Sequence, residues 1–273
     1  MSEQPTLTMN DARQIPQLGF GTYKIPDSEV TGAVGNALDI GYWMVDTAQF
    51  YENETGVGKA IGDWSDIFLQ TKIWNDSQGY EESKKAFDEC LARLGREHVD
   101  MLLIHWPCPT KGKAVETWKA FIELREAGKA KSIGVSNFRK EDLDEIVRET
   151  GVTPALNQIE LHPAFQQREL RQVHDDMGII TQSWSPLGRG NALDEEAVKD
   201  IADETGQSPA AIIIRWHLQH GLSTIPKASS RDHAQSNFTA LDFELTEEQM
   251  DKIDALDDPD GRFGPDPATF VSL

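Results

Sequence analysis

Cysteine is close to absent: Cys90 and Cys108 are the two in a chain of 273 residues. Two thiols cannot build a disulfide framework, so a reducing cytoplasm is the expected setting. Long hydrophobic runs are missing too. No apolar stretch approaches the ~18 residues of a membrane span. No basic–apolar–small leader opens the sequence, so a soluble, untargeted protein without membrane partners is expected. Positive charge is scarce, with 26 Lys and Arg against 46 Asp and Glu and a formal net charge of -20. Such a surface repels a phosphate backbone, which excludes general nucleic-acid binding. The acid is dispersed, as in Asp200-Ile201-Ala202-Asp203-Glu204 and Asp257-Asp258-Pro259-Asp260. Dispersed acid favours solubility where concentrated salt screens self-repulsion. We read the chain as salt-adapted, with an ordinary acidic cytosolic protein as the plainer alternative.

Phosphate-loop and metal motifs are lacking as well. There is no Walker A sequence. Gly56-Val57-Gly58-Lys59-Ala60-Ile61-Gly62 imitates a dinucleotide fingerprint, but Ile61 stands where the third glycine is required, and a polar turn precedes it. The stretch reads as a helix start. His217 and His220 lie three apart with no third ligand nearby and read as helix-surface residues, so no metal is expected.

What the chain does have is alternation. Residues 6–16 read as a short hairpin around Asn10-Asp11. A buried strand follows at 18–22. Ser28 is a plausible N-cap for a helix carrying Val30, Val34 and Leu38 and stopped by Gly41. Strand patterns recur at 43–46, 67–71, 101–104, 132–135, 156–160, 179–184 and 223–225. Helical patterns separate them at 54–61, 80–94, 114–127, 140–149, 167–177, 195–204 and 209–220. Gly95 and Gly128 suit C-terminal stops, and Thr246-Glu247-Glu248-Gln249 is a capping box opening a last helix. Eight strand–helix units without a break in composition point to one (β/α)8 barrel domain over 1–273. A doubly wound sheet fits the same periodicity.

Three strands end in ionisable groups. Asp46 closes one apolar run, with Tyr51 five residues on; Lys72 and His105 close two more. In one parallel barrel the four would converge where such barrels carry their active sites. Together they suit proton delivery to a carbonyl. Tyr51 would be the general acid, its pKa brought down by Lys72, with Asp46 keeping that lysine charged and His105 donating to the carbonyl oxygen. Taken singly, each residue reads more plainly as a buried ion pair, a surface phenol or a core histidine.

Gly21-Thr22, Asp46-Thr47-Ala48 with Tyr51-Glu52-Asn53-Glu54, Thr71-Lys72-Ile73-Trp74 and His105-Trp106-Pro107 stand in one order. Gly134-Val135-Ser136-Asn137-Phe138, Asn157-Gln158-Ile159-Glu160, Ser185-Pro186-Leu187-Gly188-Arg189-Gly190 and Ile225-Pro226-Lys227 continue it. In that order and spacing the sequence resembles the aldo-keto reductases over nearly its whole length. Asp258-Pro259-Asp260-Gly261-Arg262 looks like the prokaryotic members similar to 2,5-diketo-gluconate reductases. The resemblance implies a (β/α)8 TIM barrel, hydride transfer from a nicotinamide cofactor to a small aldehyde or ketone, and Asp46, Tyr51, Lys72 and His105 as the catalytic tetrad.

It also implies the binding residues. Gly21 and Thr22 belong to the cofactor site. Ser136, Asn137 and Gln158 would meet the nicotinamide carboxamide, and Trp184 would stack on the ring where most members carry tyrosine. Ser185, Leu187 and Gly188 would wrap the pyrophosphate. Lys227, Ser229, Ser230, His233 and Asn237 would meet the adenosine end. There the chain departs from the pattern: His233 stands where arginine is usual, Ala228 replaces a serine and Ser236 a glutamate. A neutral imidazole grips a phosphate less firmly than a guanidinium fork, so NADP(H) is expected with NAD(H) as the alternative. Tyr23, Trp74 and Trp106 would line an apolar substrate mouth. Trp43 and Met44 replace an arginine–histidine pair and should affect packing alone. Cys108 reads as a buried bystander.

The expected protein is a monomeric, cytoplasmic carbonyl reductase. One rival is a nicotinamide-binding sensor with little turnover. Another is a metal-dependent barrel hydrolase using Asp46, Glu52 and Glu54.

Overall fold

The computed structural model describes residues 4–62, 64, 66–228 and 230–271. Strands β1 (Thr6–Thr8) and β2 (Gln14–Pro16) pair antiparallel, Leu7 opposite Ile15, as the hairpin pattern requires. Then β3 (Phe20–Gly21), β4 (Met44–Asp46), β5 (Phe68–Ile73) and β6 (Val99–Ile104) lie side by side in parallel. They continue through β7 (Ala130–Ser136), β8 (Leu156–Glu160), β9 (Ile180–Trp184) and β10 (Ser223–Thr224) in unbroken sequence order. A parallel bridge from Leu18 to Thr224 closes the ring. Closure excludes the doubly wound alternative, because an open sheet would leave both edges unpaired.

Helices α1 (Asp27–Ile40), α2 (Glu54–Ile61), α3 (Tyr80–Leu94), α4 (Ala114–Glu126) and α5 (Lys140–Thr150) fill the first crossovers. After β8 come α6 (Arg168–Met177), α7 (Glu196–Thr205), α8 (Pro209–Gln219), α9 (Arg231–Phe238) and α10 (Glu247–Asp254). Two apolar layers result. Leu18, Val45, Leu102, Val135 and their neighbours face the inner sides of the helices. Inside the barrel floor, Met44, Met101, Leu103 and Leu156 pack with Met9 and Ile15 of the hairpin, which thereby plugs the N-terminal end. Met44 is buried there, in the packing role its sequence position suggested. Among the described residues no helix is long and apolar enough to cross a membrane.

Local signals held where they were strongest. Thr246 and Gln249 form the reciprocal capping box at α10, and Gly95 ends α3 in the left-handed conformation at φ 63°. The glycine-rich stretch is helix α2, and its glycines serve packing. A Cβ on Gly58 would come within 2.3 Å of the Leu94 carbonyl oxygen, so only glycine lets α2 lie against the end of α3.

Two readings change. Helix α1 starts at Asp27 after Pro26, not behind a Ser28 cap, because the Pro26 carbonyl takes the first helical N–H groups of Glu29 and Val30. His217 is not on a helix surface. It is fully buried, with Nδ1 3.1 Å from Ser183 Oγ and Nε2 3.3 Å from the Pro186 carbonyl, and burial pushes its pKa down to about 3. His220, half-buried, bonds Asp254 at 2.8 Å. Period alone cannot tell which face of a strongly apolar helix meets the sheet, since Ile212, Ile213, Ile214, Trp216 and Leu218 leave α8 no single apolar face.

Candidate active site

The C-terminal strand ends converge as their sequence positions suggest. Asp46 ends β4, Lys72 lies one residue before the end of β5, and His105 follows β6. Tyr51 is delivered by a 3-10 turn over Gln49–Tyr51, after which Glu52 adopts φ 55° to redirect the chain into α2. Lys72 Nζ lies 2.6 and 2.8 Å from the two Asp46 oxygens, 2.9 Å from the Thr47 carbonyl and 3.3 Å from Tyr51 Oη.

Beneath this cluster lies a polar layer of which sequence reasoning named Gln158 alone, and for the cofactor. Gln70 and Gln158 each donate from Nε2 to Asp46 Oδ1, at 2.6 and 3.0 Å, and to Gln182 Oε1, at 2.7 and 2.6 Å. Its signal was available: Gln70 and Gln182 are polar residues inside runs that otherwise read as buried strand. The Asp46 carboxylate can only accept, so it forces both amides to turn their nitrogens inward.

The electrostatics correct one expectation. Lys72 does not bring the Tyr51 hydroxyl down. Burial first, then the Asp46 carboxylate and Tyr23, hold it well above the ordinary phenol value. Lys72 is neutralised by Asp46 at contact distance, so the phenol meets a compensated pair and loses its hydration without gaining a net cation. Burial lowers the Lys72 pKa against the opposing pull of Asp46. Burial and the Lys72 charge hold His105 well below the usual imidazole range, so the ring is neutral. His105 Nδ1 is buried without a hydrogen-bond partner. An orphaned acceptor is tolerated better than an orphaned N–H, which assigns the proton to Nε2.

Above the tetrad opens a cavity of about 480 Å³. Tyr23, Trp74 and Trp106 line it, as expected of a substrate mouth, and so do Gly21, Ser136, Asn137, Gln158, Trp184, Ser185, Leu187 and Lys227. It also recruits Phe50, Arg189, Pro265 and Phe270, which carried no expected role. Phe50 stacks on Trp74 with ring centres 3.9 Å apart. Trp184 donates its indole N–H to Asn137 Oδ1 at 2.8 Å, while Asn137 Nδ2 binds the His105 carbonyl at 3.0 Å.

Other expected residues lie elsewhere. Thr22 is buried and turns its hydroxyl to the Asp46 carbonyl. Gly188 is buried against His162 and Phe263. Asn237 is buried on α9. Ser230 caps α9 by accepting the His233 N–H at 3.2 Å, and His233 is exposed on the first turn. Ser229 lies outside the described residues. Cys108 is buried, as anticipated, and burial pushes its thiol up to about 11. Glu54, a ligand in the hydrolase reading, is occupied instead: Thr71 donates to it at 2.6 Å and Arg93 approaches to 2.7 Å.

Residues 17–258 match the model of the aldo/keto reductase family. The chain belongs to the aldo/keto reductase family. It is 47% identical over 270 residues to an aldo-keto reductase of Mycolicibacterium smegmatis, covering 97% of this chain and 98% of that one. It is 41% identical to the methylglyoxal reductase DkgA of Escherichia coli over 99% of both chains. A crystal structure of a Gox0644 mutant in complex with NADPH superposes with a TM-score of 0.97 at 45% identity, covering 98% of this chain and 99% of that one.

Family membership makes the protein an NADP(H)-dependent oxidoreductase of small carbonyls, and the residues present fit that cofactor. Gln158 spends both amide hydrogens below, on Asp46 and Gln182. Its Oε1 is therefore the atom left to accept a carboxamide N–H. Arg189 and Lys227 add positive charge to the lining, matched to an anionic dinucleotide.

Proposed function

We propose that this reductase converts small aldehydes and ketones, sugar-derived ketones among them, to alcohols, with Tyr51 as proton donor. The observation that carries the reading is the Tyr51 hydroxyl held 3.3 Å from Lys72 inside the cavity, beside neutral His105. Bound NADP(H) supplies the hydride. The chain's own groups do the rest. His105 Nε2–H donates to the carbonyl oxygen and orients it. Tyr51 passes its proton to that oxygen as negative charge develops there, and the phenolate left behind is stabilised by the Lys72 ammonium until solvent reprotonates it. Trp74, Trp106 and Phe50 offer an apolar wall against which the carbon skeleton of a substituent can pack. Relatives named methylglyoxal reductase and, in Trypanosoma cruzi, 9,11-endoperoxide prostaglandin H2 reductase support a broad range of oxidised substrates.

In this reading Ser136 and Asn137 help hold the carboxamide end and Lys227 the 2′-phosphate. The protein works as a cytoplasmic monomer in concentrated salt, a setting consistent with two buried free thiols and a net charge of -20.

Tyr51→Phe tests the reading. Aldehyde-dependent NADPH oxidation should fall about 10²–10⁴-fold, while NADPH affinity, read by tryptophan quenching, stays the same. Full turnover in the variant would remove Tyr51 as donor. Binding of cofactor without turnover in the parent protein would favour the sensor reading.

A further inference from the structure

Glu160 ends β8 with its side chain fully buried, yet it is not part of the cavity lining. It holds the C-terminal tail. Oε1 accepts the backbone N–H of Phe263 at 2.7 Å and Oε2 that of Gly264 at 2.8 Å, with His162 Nε2 3.3 Å from Oε1. Burial alone would raise the carboxyl pKa; His162 and the two backbone donors outweigh it and hold Glu160 below the usual range. The contact is close. A Cβ at Gly264 would stand 2.5 Å from Trp184 Cη2 and 2.8 Å from Glu160 Oε2, so no larger residue fits there.

From this pin the chain passes Pro265, which lines the cavity, and turns at Asp266, whose carbonyl accepts the Thr269 and Phe270 N–H groups. The turn lays Phe270 against Trp106, ring centres 4.4 Å apart, and 6.3 Å from Trp74. Asn75 Nδ2 then donates to the Val271 carbonyl at 2.8 Å and fixes the far end. Residues 263–271 thus form one wall of the cavity, held at both ends.

We propose that Glu160 is a positioning residue for substrate selectivity: by pinning Phe263 and Gly264 it seats Pro265 and Phe270 as the outer wall, favouring carbonyls that carry an aromatic ring. The inference rests on the carbonyl-reductase reading above. The wall meets the substituent and not the reacting carbonyl, which lies against Tyr51 and His105. Disturbing it should therefore separate large substrates from small ones. Glutamine at this position keeps one acceptor oxygen and turns an NH2 group towards the other backbone N–H, setting donor against donor.

The test is steady-state kinetics of Glu160→Gln with NADPH and two probes, 4-nitrobenzaldehyde and propanal. The KM for 4-nitrobenzaldehyde is expected to rise about tenfold, the worth of one lost hydrogen bond to a charged group. The kcat and KM for propanal and the NADPH dissociation constant stay unchanged. Glu160→Asp keeps the charge but draws the carboxylate back from the Phe263 and Gly264 N–H groups, and should give the same selective rise even if Glu160→Gln folds poorly. Adding Phe270→Ala to Glu160→Gln should raise the aromatic KM no further. Equal effects on both aldehydes, or none on either, overturn the proposal. A parent protein that reduces neither aldehyde overturns the reductase reading, and this inference with it.

Discussion

The Lys72 ammonium and the Asp46 carboxylate neutralise each other out of reach of solvent: Nζ lies 2.6 Å from Oδ1, and neither side chain is more than 1% exposed. Burial and the nearby carboxylate outweigh the ammonium at Tyr51, so the phenol keeps its proton in the free protein. The pair's charges become useful only when a phenolate forms beside them.

A buried pair of this kind is costly to break from one side. Asp46→Asn leaves the ammonium without a counter-charge and should destabilise the fold by about 3–5 kcal/mol. Urea unfolding would measure it. An Asp46→Leu, Lys72→Met double variant should be more stable than Asp46→Asn, since no unpaired charge remains; equal losses would show that packing, not charge, dominates.

The raised Tyr51 pKa sets the pH profile. Its proton stays on through the neutral range and comes off only above the ordinary phenol value near ~10. Reduction consumes that proton, so kcat/KM for aldehyde reduction is expected to be flat from about pH 6 to about pH 10 and to fall only beyond. His105 is already neutral and adds no limb within that window. Alcohol oxidation needs the phenolate and should climb over the same range. A basic limb near pH 7 in reduction would mean that Lys72 controls Tyr51 after all.

His233 occupies the exposed first turn of α9, close in sequence to Lys227. The nearby Arg231 is turned away, bonding Asn36 at 3.1 Å and lying 3.6 Å from Asp39 on α1. A guanidinium at position 233 would therefore be an addition. His233→Arg should increase the NADPH-to-NADH ratio of kcat/KM about tenfold, as expected for one charge-assisted hydrogen bond. An unchanged ratio would place the 2′-phosphate away from this turn.

Salt tests the acidic surface. With a net charge of -20, self-repulsion is strongest at low ionic strength and is screened within about 3 Å at 1 M salt. The melting temperature should rise steeply between low and molar KCl, by calorimetry or circular dichroism. A flat response would mark the charge as an ordinary acidic surface.

Much of this protein was legible in one dimension. Helices over Glu54–Ile61 and Tyr80–Leu94 and the strand Leu156–Glu160 begin and end where period, glycine stops and polar turns put them. Those signals act over a few residues, and barrel closure did not alter them. The four ionisable groups could be placed together for the same reason: Asp46, Lys72 and His105 are tied to three strand ends and Tyr51 to the turn after one of them, and a parallel barrel brings strand ends together. Long-range contact decided the rest. Whether His217 faces solvent or Ser183 depends on how α8 lies on β9. Thr22 turns to Asp46 because β3 and β4 pair in that register. Phe270 meets Trp106 on a tail that Glu160 holds at one end and Asn75 at the other, contacts between residues a hundred or more positions apart that leave no local pattern. Spacing determined the scaffold and which ionisable groups would converge, since both follow from local periodicity. The protonation of Tyr51 and the outer wall of the cavity were decided by the tertiary structure, because burial and opposing charges exist only once the ring has closed.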